Sequence, residues 1–254
     1  MKAERLGEIL DRVVENGSAD VGALADEFGV SAATIRRDLQ ALHGQGLVRR
    51  THGGALPKPA GLEMPIGYKA SRQLKQKRAI GQAAATLVQD GEVVGLTGGT
   101  TATEVARALA DRRDLTVVTN ALNIAAELVA RPNIRLVVVG GNARHASYEL
   151  VGPAAEAMIG QYHLDFAFVG TDGFTATDGC TTHDEMEAHT DLAFIRQAAR
   201  TVVIADSSKI GKVTFARICG PDVVDTLVTD DGIDPAVRNA VEAANIEVIT
   251  AELK

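Results

Sequence analysis

Three observations predict an α/β protein built in two parts. From Val93 onward, short β-branched runs alternate with helical stretches, the pattern of a mainly parallel, Rossmann-like sheet covered by helices on both faces. Ahead of it stand three short helical patterns followed by a basic strand and a Gly-Gly turn. Between the two, Leu56 to Tyr68 holds Pro57, Pro59, Pro65, Gly61 and Gly67, a composition suited to a semi-stiff connection. The expected organisation is an N-terminal domain over 1–58, a linker over 59–70 and a larger domain over 71–254. At 254 residues, 46% hydrophobic and 23% charged, the chain is long enough for a core in each part.

The N-terminal elements follow in order. Lys2 to Asn16 places Leu6, Ile9, Leu10 and Val13 on one side of a helix that ends at Gly17. Asp20 is positioned to cap a second helix carrying Val21, Leu24, Ala25 and Phe28, which stops at Gly29, a residue suited to a left-handed C′ position. After the turn Gly29-Val30-Ser31, Ser31 caps a third helix with Ile35, Leu39 and Leu42 as its apolar stripe. At 100° per residue, Ala33, Arg36, Arg37 and Gln40 share the opposite face. Two helices joined by a three-residue turn make a helix-turn-helix whose second helix reads the major groove. Small side chains allow close approach there, and Arg bonds phosphate oxygens or the O6 and N7 of guanine. Leu47 to Thr51 then reads as a strand and Gly53-Gly54 as a tight turn, a wing that brings Arg49, Arg50 and His52 toward phosphates.

The charge is distributed to match. The net charge is −7, yet residues 31–78 hold ten Lys or Arg, Lys58 among them, against Asp38 and Glu63. That segment carries +8 and the remainder −15, so one surface attracts phosphates while the body repels them.

Two motifs carry a family resemblance. Val30-Ser31-Ala32-Ala33-Thr34-Ile35-Arg36-Arg37-Asp38-Leu39 and Arg50-Thr51-His52-Gly53-Gly54-Ala55 resemble the signature of bacterial transcription regulators of the DeoR family. The resemblance implies a winged helix-turn-helix bound to double-stranded operator DNA. The expected DNA contacts are Ser31, Ala33, Thr34, Arg36, Arg37, Gln40, Arg49, Arg50 and His52.

The larger domain opens with a basic amphipathic helix from Ser71 to Gln89, with Ile80, Ala83, Ala84 and Leu87 as its apolar side. Strands are expected at Val93 to Leu96, Leu115 to Thr119, Ile134 to Val139, Phe166 to Val169, Thr201 to Ala205, Thr226 to Val228 and Ile246 to Ile249. Helices are expected at Ala102 to Ala110, Ala121 to Ala130, Pro153 to Tyr162, Glu185 to Arg200 and Pro235 to Ala244.

In such a sheet ligands gather at the carboxyl ends of strands, beside helix N-termini. The first strand ends in Thr97-Gly98-Gly99-Thr100-Thr101. Its glycines let backbone approach an anion, its threonines add donors, and the following helix supplies free N–H groups. It is neither a dinucleotide fingerprint nor a Walker loop. Thr119-Asn120, Gly140-Gly141-Asn142, Gly170-Thr171-Asp172-Gly173 and Asp206-Ser207-Ser208-Lys209 end later strands. Together these loops suggest a sugar-phosphate pocket formed by Gly98, Gly99, Thr100, Thr101, Asn120, Gly140, Gly141, Asp172 and Lys209.

The DeoR resemblance extends to these loops and implies an effector domain similar to ribose-5-phosphate isomerase in fold, with a phosphorylated sugar as inducer. The sequence departs from that pattern at two places. Thr97-Gly98 replaces the acidic and serine residues often found there, and Asp191 falls after Glu187 where a basic residue is common.

Other classes are weighed on the same residues. The charged start Met1-Lys2-Ala3-Glu4-Arg5 with no long apolar run points to a cytoplasmic protein with no membrane association. Cys180 and Cys219 lack a paired-ligand spacing and read as ordinary thiols. His183 and His189, six apart, fall on different sides of a helix and suggest no metal. A sugar-phosphate isomerase with a fused DNA-binding domain is the enzymatic alternative, drawing on Asp172, Asp178, Asp184, Glu185 and Lys209, but no catalytic motif is present. An architectural DNA-binding protein leaves the Gly98 loop unexplained. The expectation is therefore a non-enzymatic repressor of a carbohydrate-metabolism operon, without cofactor, acting as a homodimer or homotetramer.

Overall fold

The computed structural model describes residues 2–44, 46–57 and 63–253. Lys58 at the end of the expected N-terminal domain, and Pro59 and Gly61 of the expected linker, lie outside the described residues. The chain divides into two compact units, Met1–Arg72 and Gln73–Lys254.

The first unit runs α1 (Lys2–Glu15), β1 (Ala19–Asp20), α2 (Val21–Phe28), α3 (Ala32–Gly44), β2 (Val48–Arg50), β3 (Gly54–Pro57) and α4 (Ile66–Lys69). Its core joins Leu6, Ile9, Leu10 and Val13 of α1 to Val21 and Leu24 of α2 and to Ile35, Leu39 and Leu42 of α3. Asp20 caps α2, its Oδ1 accepting from the N–H groups of Gly22 and Ala23, and Gly29 ends it in the left-handed region at φ 61°. The strands form a three-stranded antiparallel sheet in the order β1-β3-β2. The wing expected from Leu47 to Thr51 and the Gly53-Gly54 turn is the β2–β3 pair, and the unexpected third strand, β1, pairs with β3. Gly54 is required by the pairing: a Cβ there would fall 1.8 Å from the Ala19 carbonyl oxygen. Met64, just before α4, and Tyr68 within it pack against the same core.

The second unit adds α5 (Leu74–Ala85), β4 (Val93–Leu96), α6 (Thr100–Leu109), β5 (Leu115–Thr119), α7 (Leu122–Leu128), β6 (Ile134–Val138), β7 (Asn142–Ala143), β8 (Leu150–Val151) and α8 (Pro153–Ile159). It continues with β9 (Leu164–Gly170), β10 (Gly173–Thr175), β11 (Gly179–Thr182), α9 (Glu185–Gln197), β12 (Ala198–Ile204), β13 (Ala216–Cys219), β14 (Thr226–Asp230), α10 (Pro235–Ala243) and β15 (Glu247–Ala251). Seven strands form one parallel sheet in the order β6-β5-β4-β9-β12-β14-β15. The order reverses between β4 and β9, where such sheets open a crevice at their carboxyl ends.

Each face has its own core. Ile80 of α5, Val105 and Leu109 of α6 and Ile124 and Leu128 of α7 cover one. Ile159 of α8, Ala188 and Phe194 of α9 and Val241 of α10 cover the other. That second face also buries a small sheet, β10-β11-β13, and after β6 in the chain comes the separate hairpin β7-β8; neither is expected from the sequence. The helix expected through Arg200 ends at Gln197, because Ala198 to Arg200 already pair with β9, and the Arg200 guanidinium lies 5.3 Å from the Phe166 ring centre. Cys180 and Cys219 are free, buried thiols that face each other across β11 and β13, a proximity their spacing in the sequence does not show.

Candidate DNA-reading face and sensor site

On α3 the buried stripe fixes what remains outside. Ile35, Leu39 and Leu42 are 0–1% exposed, while Ala33, Arg36, Arg37 and Gln40 all lie exposed. Ser31 caps the helix by accepting from the Thr34 N–H at 3.2 Å, and the Thr34 hydroxyl meets the Ser31 hydroxyl at 3.0 Å. Both are therefore held first by the helix start. Asp38, between the two arginines and the apolar stripe, is buried and accepts from Arg5 Nε at 2.8 Å. It locks α3 onto α1, and the sequence reading had given it no role. The Arg5–Asp38 contact raises the Arg5 pKa, chiefly through this hydrogen bond.

The wing continues this surface. Arg49, Arg50 and His52 are exposed, and Arg50 Nη1 donates to Gln40 Oε1, so the wing reaches the reading helix through one of its own arginines. With Gln40 Oε1 engaged, the donors left to this exposed amide are those on Nε2.

In the second unit the predicted residues fall into separate groups. Gly98, Gly99, Thr100 and Thr101 link β4 to α6, directly at the strand-order reversal. Gly99 adopts φ 101° and begins α6 with no side chain capping it. The first turn of a ten-residue helix thus keeps its N–H groups and the positive end of its dipole for an anion. The neighbouring loop is close: the Gly170 N–H donates to Thr97 Oγ1 at 3.0 Å, which ties the ends of β4 and β9 together.

Gly98 already meets an anion from within the chain. Its N–H donates to Glu149 Oε1 at 2.8 Å, and Asn120 Nδ2 faces the same oxygen at 3.5 Å while donating to the Leu150 carbonyl at 3.3 Å. Glu149 stands just before β8, in a loop that no sequence pattern had marked. Glu187 of α9 accepts from Arg144 Nη1 and from the Thr182 hydroxyl, and Arg144 also reaches Asp184 at 3.3 Å. One turn on, Asp191 is wholly buried. Burial, with Glu149 next, pushes the Glu187 pKa well up, and burial followed by Glu149 and Glu187 does the same to Asp191.

Asp172 and Lys209, which follow different strands, meet directly, a pairing that their spacing in the sequence does not indicate: Lys209 Nζ donates to Asp172 Oδ1 at 2.7 Å, and His183 Nε2 lies 3.9 Å from Asp172 Oδ2. Gly140 and Gly141 are exposed beyond β6, and Gly141 at φ 151° passes against the backbone of Leu150 and Val151. No hydrogen bond joins these two glycines to the Gly98 loop among the described residues. Of the carboxylates considered for catalysis, Asp184 caps α9, Asp178 is bonded to Thr175 and Thr177, and Glu185 is exposed.

Comparison with known proteins bears on both units. The family model described as the DeoR-like helix-turn-helix domain matches residues 5–57, and that of the DeoR C terminal sensor domain matches residues 72–231. The chain belongs to the DeoR family. It is 36% identical over 250 residues to the HTH-type transcriptional regulator GlpR of Haloferax volcanii, covering 98% of each chain. It is 32% identical over 250 residues to the transcriptional repressor AccR of Agrobacterium fabrum, covering 98% of this chain and 97% of that protein. It is 30% identical over 229 residues to the glycerol-3-phosphate regulon repressor of Escherichia coli, covering 90% and 91%. Among solved structures, ribose 5-phosphate isomerase A of Methanocaldococcus jannaschii is similar over 54% of this chain and 55% of that chain, at 22% identity and a TM-score of 0.41. As a DeoR-family member with a DNA-reading unit and a sensor unit, the chain is a DNA-binding transcriptional regulator. No helix among the described residues is long and apolar enough to cross a membrane.

Proposed function

We propose that this regulator represses a carbohydrate-metabolism operon and leaves its operator when a phosphorylated sugar occupies the sensor domain. The observation that carries the DNA half is the exposed face of Ala33, Arg36, Arg37 and Gln40 held over a buried stripe and joined by Arg50. Arg36, Arg37 and Gln40 read the major groove, Ala33 permits close approach, Ser31 and Thr34 set the helix start against the backbone, and Arg49, Arg50 and His52 meet phosphates. Two copies bind two half-sites, so the working form is a homodimer or a homotetramer in the cytoplasm.

The sensor half rests on the uncapped start of α6 at Gly99. The phosphate sits on the amides of Gly99, Thr100 and Thr101, with Gly98 and Asn120 behind it and Asp172 and Lys209 across the strand-order reversal; Gly140 and Gly141 border the opening. No cofactor is required for release: ligand binding needs only to shift operator affinity by roughly 1 to 3 kcal/mol, about 5- to 150-fold. The relatives named as regulators and repressors support this reading over the isomerase alternative. Fluorescence anisotropy with DNA from upstream of the chain's own gene and with unrelated DNA tests it. The expected result is at least a thousandfold preference for the upstream fragment; equal affinity for both would overturn it.

A further inference from the structure

Three buried carboxylates beside the Gly98 loop are not used by the phosphate reading. Glu149, Glu187 and Asp191 are 2%, 8% and 2% exposed, and residues 187 and 191 stand one turn apart on the same side of α9. Glu149 and Glu187 have donors within the chain. Asp191 Oδ1 is buried with no hydrogen-bond partner. A second, uncharged group tells the same story from a different element. Asn120, 0% exposed, turns Nδ2 to Glu149, and the Oδ1 of that same amide is also buried without a donor. Native interiors satisfy nearly all such atoms, so two orphaned acceptors beside three carboxylates call for donors from outside the chain.

We propose that the effector carries a positively charged amino group as well as its phosphate, and that Glu149, Glu187, Asp191 and Asn120 Oδ1 receive that ammonium. The proposal rests on the sugar-phosphate reading and deepens it. An ammonium brings three donors, no acceptor and a positive charge, which matches unfilled acceptors among carboxylates. A sugar hydroxyl brings one donor and no charge to offset the ionisation of these buried acids. The phosphate requirement agrees: Gly99, where α6 begins, adjoins Gly98, whose amide touches Glu149. A dianion alone would be set beside buried carboxylates, whereas a ligand with both charges has a partner for each. Glu187 and Asp191, pushed up by burial, ionise when such a cation arrives.

Isothermal titration calorimetry on the full chain tests this with paired probes: glucosamine 6-phosphate against glucose 6-phosphate, galactosamine 6-phosphate against galactose 6-phosphate, and inorganic phosphate. At least one amino compound is expected to bind tenfold or more tightly than its hydroxyl partner, and Asp191→Asn to reduce that ratio below threefold. The wild-type ratio decides the matter even if the variant does not fold. Hydroxyl sugar phosphates binding as tightly as their amino partners would overturn the ammonium seat and leave the sugar-phosphate reading standing. If none of the five probes binds, both fall.

Discussion

Gly98→Ala is the smallest change that probes the sensor site. A Cβ at residue 98 would lie 2.3–2.4 Å from Cγ, Cδ and Oε1 of Glu149, against an ordinary contact of 3.4 Å or more. Glu149 must therefore retreat by about 1 Å or swing away. It is 2% exposed and held by the Gly98 N–H at 2.8 Å, so retreat breaks a hydrogen bond to a carboxylate within a packed interior. Lost charged hydrogen bonds cost about 1.5–3 kcal/mol and overpacking about 1–3 kcal/mol; because one movement relieves the clash by breaking the bond, the two overlap at about 2–3 kcal/mol. For a unit of this size that corresponds to a fall in Tm of roughly 4 to 12 °C. Differential scanning calorimetry resolves it, with the N-terminal unit as internal reference. The same variant should lose effector response while retaining operator binding. An unchanged Tm would refute the placement of Glu149 against Gly98.

Three further outcomes follow from the geometry. Arg37→Ala should weaken operator binding by about 1–3 kcal/mol; a salt slope shallower by about 0.9 marks a lost phosphate contact and an unchanged slope a lost base contact, while undiminished affinity would remove Arg37 from the interface. Asp38→Asn should destabilise the first unit by about 1–3 kcal/mol in urea unfolding through loss of the Arg5 bond, with the salt slope of DNA binding unchanged; a changed slope at full stability would contradict that structural role. Glu187 and Asp191 keep protons in the folded sensor that the unfolded chain has lost, so unfolding releases protons. The sensor's stability should fall as pH rises above about 4, and Asp191→Asn should flatten that decline; stability rising through the same range would contradict it.

What could be read from the sequence depended on how locally each feature is encoded. Helix caps and stripes are set within a few residues, so Asp20, Gly29, Ser31 and the Ile35, Leu39, Leu42 stripe were legible, as were all seven strands of the parallel sheet. The short pieces were not. β1 has two residues and exists because Gly54 lets β3 approach Ala19, a contact between segments with no periodicity of its own. β10 and β11 contain threonines and glycines that read as loop, and β13 is four residues, Ala216–Cys219, too short to show a period of its own. In the site, the Gly98 to Thr101 loop announced itself by its glycines and its place between strand and helix; Asp172 and Lys209 stood out singly as strand-end residues, and their ion pair required the fold. Glu149 lies 51 residues from the amide it bonds, and Asp38 reads as part of a charged run. For both, only the fold reveals that the charge points inward. Asp191 was noticed as a reversal of charge, but its burial and its unfilled oxygen required the packing around α9.

The most direct test of the account is release of the protein from operator DNA by a phosphorylated sugar, followed by fluorescence anisotropy alongside the unphosphorylated parent sugar. One phosphorylated compound is expected to lower operator affinity about 5- to 150-fold, and its parent to have no effect. Operator binding that no phosphorylated sugar alters, or that the parent sugar releases equally well, would contradict it.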